Sequence, residues 1–115
     1  MMTIRMNHFR GILCLLFMTV FVLNVSAQKK VKGPKVYTVI ISKMKFTPSE
    51  LVVEKGSKVV WINKEFYPHD VTDELKKTWS SKPLNQDQSW SKIITKNESY
   101  FCNLHKTMKG KIIVK

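Results

Sequence analysis

Beyond Arg10 this 115-residue chain contains no arginine, and beyond position 27 it contains one cysteine. Each scarcity excludes something. Without arginine the chain lacks the residue best suited to bidentate reading of base edges, and the export expected below also argues against nucleic acid. No helix-turn-helix or RNA-platform motif is present either. Nucleic acid is therefore excluded as a partner, although the whole chain carries a formal net charge of +12. An acidic protein or an anionic surface suits so many lysines better, and most of them serve solubility. A single cysteine cannot form an internal disulfide. In an exported protein it is buried and inert, paired with another chain, or used in chemistry. Long apolar runs are also scarce. The longest, residues 11–23, is short for a bilayer span of ~20 residues. Arg5 and Arg10 precede it and Asn24-Val25-Ser26-Ala27 follows. That order reads as a secretory leader over 1–27, cleaved after Ala27. Cys14 lies inside the apolar run and does not form a lipoprotein box. The mature chain is expected to be exported, periplasmic if the source is Gram-negative, with no stable membrane insertion after cleavage.

What remains is rich in strand signals. Residues 28–35 are polar and lysine-rich with Gly33-Pro34, a flexible lead-in. From 36 to 115 the chain reads as one domain. V-Y-T-V-I-I-S, residues 36–42, is dominated by β-branched side chains. Phe46-Thr47-Pro48 is read as a turn. Strands are expected over 50–54 and 57–63, and the latter places Val59, Trp61 and Asn63 on one face. Another begins within 69–73. Residues 74–87 are the least regular, with a helical turn expected over 75–79 before Ser80-Ser81 and Pro83 stop it. Strands follow over 88–95, 98–102 and 110–115. There is no internal repeat and no low-complexity region. About seven short strands with little helix indicate an all-β fold, an antiparallel Greek-key β-sandwich.

Removing the leader takes away Cys14, His8 and the methionines at 1, 2, 6 and 18. Five soft or borderline metal ligands remain: His69, Cys102, His105, Met44 and Met108. Three of them stand in one short run, C-N-L-H-K-T-M, residues 102–108. That run joins the last two expected strands and so sits at one pole of the sandwich. Pro68-His69 follows a strand able to reach the same pole. One thiolate, two imidazoles and a weak thioether make a blue-copper electron-transfer site. Four protein ligands leave no open position for a substrate, which argues against an enzyme. Taken singly, Cys102 reads as a buried core residue, His69 as a turn residue and Met108 as core filler. A structural zinc site would carry more thiolates or imidazoles and no thioether. A Cys102–His105 nucleophile pair would leave His69 and Met108 without roles.

At these residues the chain resembles the cupredoxins, and within them the amicyanin and plastocyanin-like group. The resemblance rests on M-K-F-T-P-S-E-L-V-V-E-K-G-S-K-V-V-W-I-N-K-E-F-Y-P-H-D-V (44–71) and Y-F-C-N-L-H-K-T-M-K-G-K-I-I-V-K (100–115). It covers 36–115 in order, more weakly over 74–90. It implies one copper ion cycling between Cu(I) and Cu(II). His69, Cys102 and His105 become strong equatorial ligands and Met108 the weak axial one. It also implies that His105 reaches the surface through an apolar rim of Phe66, Tyr67, Pro68, Leu104 and Met44, and passes the electron there. The implied partners are transient redox proteins that a monomer would meet. The chain departs from the group at two places. Asp70 stands where many cupredoxins have asparagine, and its charge would lower the reduction potential. Lys106 stands where amicyanin has proline. With Lys109 it would raise the potential and favour a partner with an acidic docking surface. A periplasmic carrier that binds and hands over Cu(I) would use the same ligands and is the rival reading.

Overall fold

Valine, isoleucine and threonine crowd the stretches that pair, because branched side chains pack well on a pleated surface. The computed structural model describes residues 33–115. The expected leader and positions 28–32 of the lead-in lie outside the described residues. Eight strands follow one another: β1 (Val36–Ser42), β2 (Lys45–Thr47), β3 (Glu50–Val53), β4 (Ser57–Asn63), β5 (Thr72–Asp73), β6 (Ser89–Ile94), β7 (Glu98–Phe101) and β8 (Lys109–Val114). No helix occurs among the described residues. One sheet has the order β2-β1-β4-β6 and the other β3-β8-β7-β5. The expected all-β sandwich is present.

The pairing is mixed at one place in each sheet. β1 runs parallel to β4, with Val39 opposite Trp61, and β3 runs parallel to β8. Between β1 and β4 the chain folds back as β2 and crosses to the second sheet as β3. It therefore returns to the first sheet in β1's direction. Period-two patterning reports which face is buried but not which strand lies alongside.

β4 is one of the two interior strands of its sheet. Ser57, Val59, Trp61 and Asn63 alternate inward along it. Trp61 meets the ring of Tyr100 from the other sheet edge-on, with centroids 5.4 Å apart. Phe46 packs edge-on against the same tyrosine at 4.8 Å. Each such fully buried side chain contributes roughly 1.5–3 kcal/mol. Burial pushes Tyr100's phenol up to about 12, and the nearby Trp61 indole N–H offsets this slightly. Neither group completes a hydrogen bond of good geometry.

Two details differ from the sequence reading. The expected turn is present at Pro48, between β2 and β3, but an earlier one at Lys43-Met44 creates β2 as an eighth strand. Both turn residues have positive φ, 53° and 58°. A two-residue hairpin of this kind normally uses Asn-Gly, so the residue types carry no sign of it. The expected helical turn over 75–79 is absent. Instead the Asp73 carboxylate accepts from the backbone N–H of Leu75 (3.2 Å), and from the N–H (3.1 Å) and hydroxyl (2.8 Å) of Thr78. Those bonds give the backbone an alternative to a helix. Burial works against Asp73's charge, but these hydrogen bonds outweigh it and hold the carboxyl below its usual value.

Candidate metal centre

β7 ends at Phe101 and β8 begins at Lys109, so residues 102–108 form the loop between two adjacent antiparallel strands. Its ends are tied. The Cys102 N–H donates to the Met108 carbonyl at 3.1 Å, and the Met108 N–H to the His105 carbonyl at 3.0 Å. Cys102 is fully buried, His105 half-buried and Met108 only 3% exposed.

His69 arrives from the other side. It is fully buried and pairs with Leu84 through two backbone hydrogen bonds, of 3.1 and 2.7 Å. Asn63, at the end of β4, holds this region together. Its side-chain amide donates to the carbonyls of Tyr67 (2.8 Å) and Leu84 (2.9 Å), and its side-chain oxygen accepts from the Glu65 N–H. Asn63 thereby fixes both the loop that leads to His69 and the segment strapped behind it.

The three donor atoms converge. Cys102 Sγ lies 3.8 Å from His69 Nδ1 and 3.9 Å from His105 Nδ1, and the two Nδ1 atoms are 3.1 Å apart. The point equidistant from all three lies about 2.1 Å from each, a normal metal bond length for imidazole and slightly short for thiolate. The residues therefore fit a trigonally held ion of the first transition row. Met108 belongs to the same buried cluster as Cys102. All four expected residues thus lie on the two segments that meet at this pole.

The sequence reading missed Glu65. Its Oε2 sits 2.6 Å from His69 Nε2. A carboxylate only accepts, so Nε2 carries the proton and Nδ1 presents its lone pair to the centre. The other oxygen, Oε1, accepts from the Met44 N–H at 2.6 Å. Glu65 precedes His69 by four residues in an irregular loop, where spacing carries no information about contact.

Asp70 is where the two segments are pinned. Its N–H points at Cys102 Sγ, 3.4 Å away. Its Oδ1 accepts from the Asn103 N–H (2.8 Å) and from the Thr72 hydroxyl (3.0 Å). Having donated its one proton, Thr72 Oγ1 accepts from Asn103 Nδ2 (3.0 Å) and from Ser80 Oγ (2.9 Å). The carboxylate is buried with neutral donors alone on this oxygen.

The outer surface of the pole is partly apolar. Phe66 is 83%, Tyr67 61%, Leu104 49% and Met44 41% exposed. Lys106 is exposed as well. Lys109, expected to add positive charge beside His105, instead bonds Glu74 at 2.9 Å, so its charge is partly offset.

Comparison with known proteins agrees with this geometry. Residues 35–115 match the family described as copper binding proteins, plastocyanin/azurin family. Amicyanin from Paracoccus versutus is 34% identical over 82 residues, which span 64% of this chain and 61% of that protein. Amicyanin from Paracoccus denitrificans is 35% identical over 80 residues, with the same coverage. The chain thus spans about three fifths of the length of these curated relatives. Among solved structures, a reduced tryptophan-to-tyrosine variant of amicyanin superposes with a TM-score of 0.65 at 30% identity, covering 76% of this chain and 87% of that one. A copper-containing nitrite reductase from Thermus scotoductus SA-01 superposes at 0.64 with 23% identity over 24% of its own length, which shows a shared fold only. The donor set, its trigonal spacing and the match over the whole described domain lead to one conclusion: this chain belongs to the copper-binding plastocyanin/azurin family, and its cofactor is copper.

Proposed function

We propose that this protein is an exported blue copper electron carrier, with His69, Cys102 and His105 as equatorial ligands and Met108 as the axial one. The observation that carries the reading is the triangle of Sγ and two Nδ1 atoms held at metal-binding distance by a hydrogen-bonded frame. Bound copper supplies a one-electron couple between Cu(I) and Cu(II). The chain's own residues do the rest. Glu65 fixes the tautomer and ring plane of His69. The Asp70 N–H supports the sulfur of Cys102. The ties between Asp70, Thr72 and Asn103 keep the two ligand segments at a constant separation, so little has to rearrange when the charge changes. His105, half-buried where His69 and Cys102 are fully buried and next in sequence to the exposed Leu104, offers the way out of the protein for an electron. Four protein ligands leave no position for a substrate, so the protein is not an enzyme. Its partners are transient redox proteins met over a small contact, with acidic groups facing the lysines around the pole. The mature domain works outside the cytoplasm, in the periplasm if the host is Gram-negative.

The test is voltammetry of the mature protein carrying one equivalent of copper. The expected result is a reversible one-electron wave, with copper still bound after repeated cycles. Release of copper on reduction would refute electron carriage and leave copper delivery as the function.

Asp70 is the residue expected to set this chain's potential apart. Asp70→Asn removes a buried negative charge near the sulfur while preserving the side chain's shape and its acceptor oxygen. The midpoint potential should rise by about 50–100 mV, or roughly 1–2 kcal/mol. An unchanged potential would show that the charge is screened or neutralised in the folded protein.

A further inference from the structure

The centre is closed to solvent on most sides, so a metal ion needs a way in. His69 and Cys102 are fully buried and Met108 is 3% exposed. Met108 nevertheless lines a surface cavity of about 300 Å³, together with Met44, Phe46, Thr107, Lys45 and Lys109. Phe46 and Met108 are its buried members, and Met44, 41% exposed, stands at its edge. These are the two methionines among the described residues. One methionine therefore stands at the exposed edge of the cavity and the other in its buried lining.

The placement of Met44 is held against local preference. Lys43 and Met44 both have positive φ, in a turn that favours asparagine and glycine. Such conformations in non-glycine residues persist where surrounding structure enforces them, and they cluster at functional sites. The enforcing contact here is the hydrogen bond from the Met44 N–H to Glu65, whose other oxygen holds His69. The cavity edge is thus tied to a residue of the centre.

We propose that Met44 is the docking ligand for incoming Cu(I), and that the cavity between Met44 and Met108 is its route to the centre. The inference rests on the copper-ligand reading above. Thioethers are soft and select Cu(I) over hard cations. Exposed Lys45 at the cavity, beside a Lys109 whose charge Glu74 partly offsets, disfavours bare cations and suits an anionic donor, a Cu(I) bis-thiolate complex. No electron moves during transfer. One donor thiolate leaves as the Met44 thioether binds. The second leaves as Cys102 takes the ion, and it carries off the proton that the Cys102 thiol gives up. The Cu–S bond to Met44 breaks as the imidazoles bind.

The experiment mixes the metal-free mature protein with Cu(I)–glutathione under anaerobic conditions. Copper retained by the protein is measured after rapid desalting at successive times. Met44→Leu keeps the apolar volume and removes the sulfur. It should load at least about fivefold more slowly, yet reach the same final stoichiometry, with an unchanged visible spectrum after oxidation. Loading at the wild-type rate would overturn the route and place the entrance past His105. A changed final spectrum would also overturn it, since Met44 would then touch the resident ion. Cys102→Ala separates the two levels of inference. If wild type and Cys102→Ala retain copper equally, the ligand set itself is wrong and the route falls with it.

Discussion

Cys102→Ala is expected to remove the intense visible band of the copper-loaded protein and to weaken copper retention by at least about a hundredfold. The band arises from charge transfer between thiolate and Cu(II), and Cys102 is the one cysteine among the described residues. The loss extends beyond one bond. Cys102 is fully buried, and the Asp70 N–H directed at its sulfur would lose its acceptor, at a cost of about 1–3 kcal/mol. Two imidazoles and a thioether would remain. They can hold Cu(II) only weakly and without a strong charge-transfer transition. The measurement is an absorption spectrum with one equivalent of Cu(II), beside a competition titration against a chelator of known affinity. A variant that keeps the band would exclude Cys102 as a ligand. The wild-type protein failing to show the band would exclude the blue-copper assignment.

The second large effect is expected far from any ligand atom. Gly110 lies in β8 directly opposite Tyr100 of β7. A Cβ built on Gly110 would clash with the phenol end of Tyr100, at Cζ, Oη and Cε2. That ring cannot move aside, because it is fully buried and wedged edge-on against Phe46 and Trp61. Glycine is needed here for close approach, not for an unusual backbone. Gly110→Ala should cost about 3 kcal/mol by overpacking, and lower Tm by roughly 12–24 °C for a domain of this size. Tyr100 is two residues before Cys102 and Gly110 two residues after Met108, so the blue band should shift as well. Thermal unfolding of the metal-free protein isolates the packing effect. The double variant Gly110→Ala with Tyr100→Leu should recover much of the loss, since the two residues are in contact and their effects are coupled. A Gly110→Ala protein that melts within about 2 °C of wild type would place the ring elsewhere.

Much of the centre is legible in the order of the residues alone. Cys102, His105 and Met108 fall in one short run, and ligand softness assigns them a purpose without coordinates. The alternation of Val59, Trp61 and Asn63 correctly marks the buried face of β4, because a strand's period is fixed by backbone geometry. His69 joins the set as one of the two histidines beyond position 27, placed after a strand able to reach the same pole. The resemblance, not local chemistry, marks Asp70 as the unusual neighbour, since many cupredoxins have asparagine there.

The remainder depends on contacts between segments distant in sequence, or close but irregular. The hairpin at Lys43-Met44 lacks the residues such turns prefer, so its sign in the chain is wrong, and only the bond to Glu65 explains it. Glu65 itself reads as one more loop charge, yet its two oxygens join His69 to that hairpin. Lys109 reads as free to raise the potential, yet Glu74 reaches it from another loop. The parallel pairs β1–β4 and β3–β8 leave no mark on patterning, because a strand buries the same face whichever neighbour it has. Residue type and spacing alone determined which atoms are able to bind copper. The tertiary structure decided how those atoms are aimed and which charges stand beside them, because orientation and pairing arise only where separate loops are packed at one end of the sandwich.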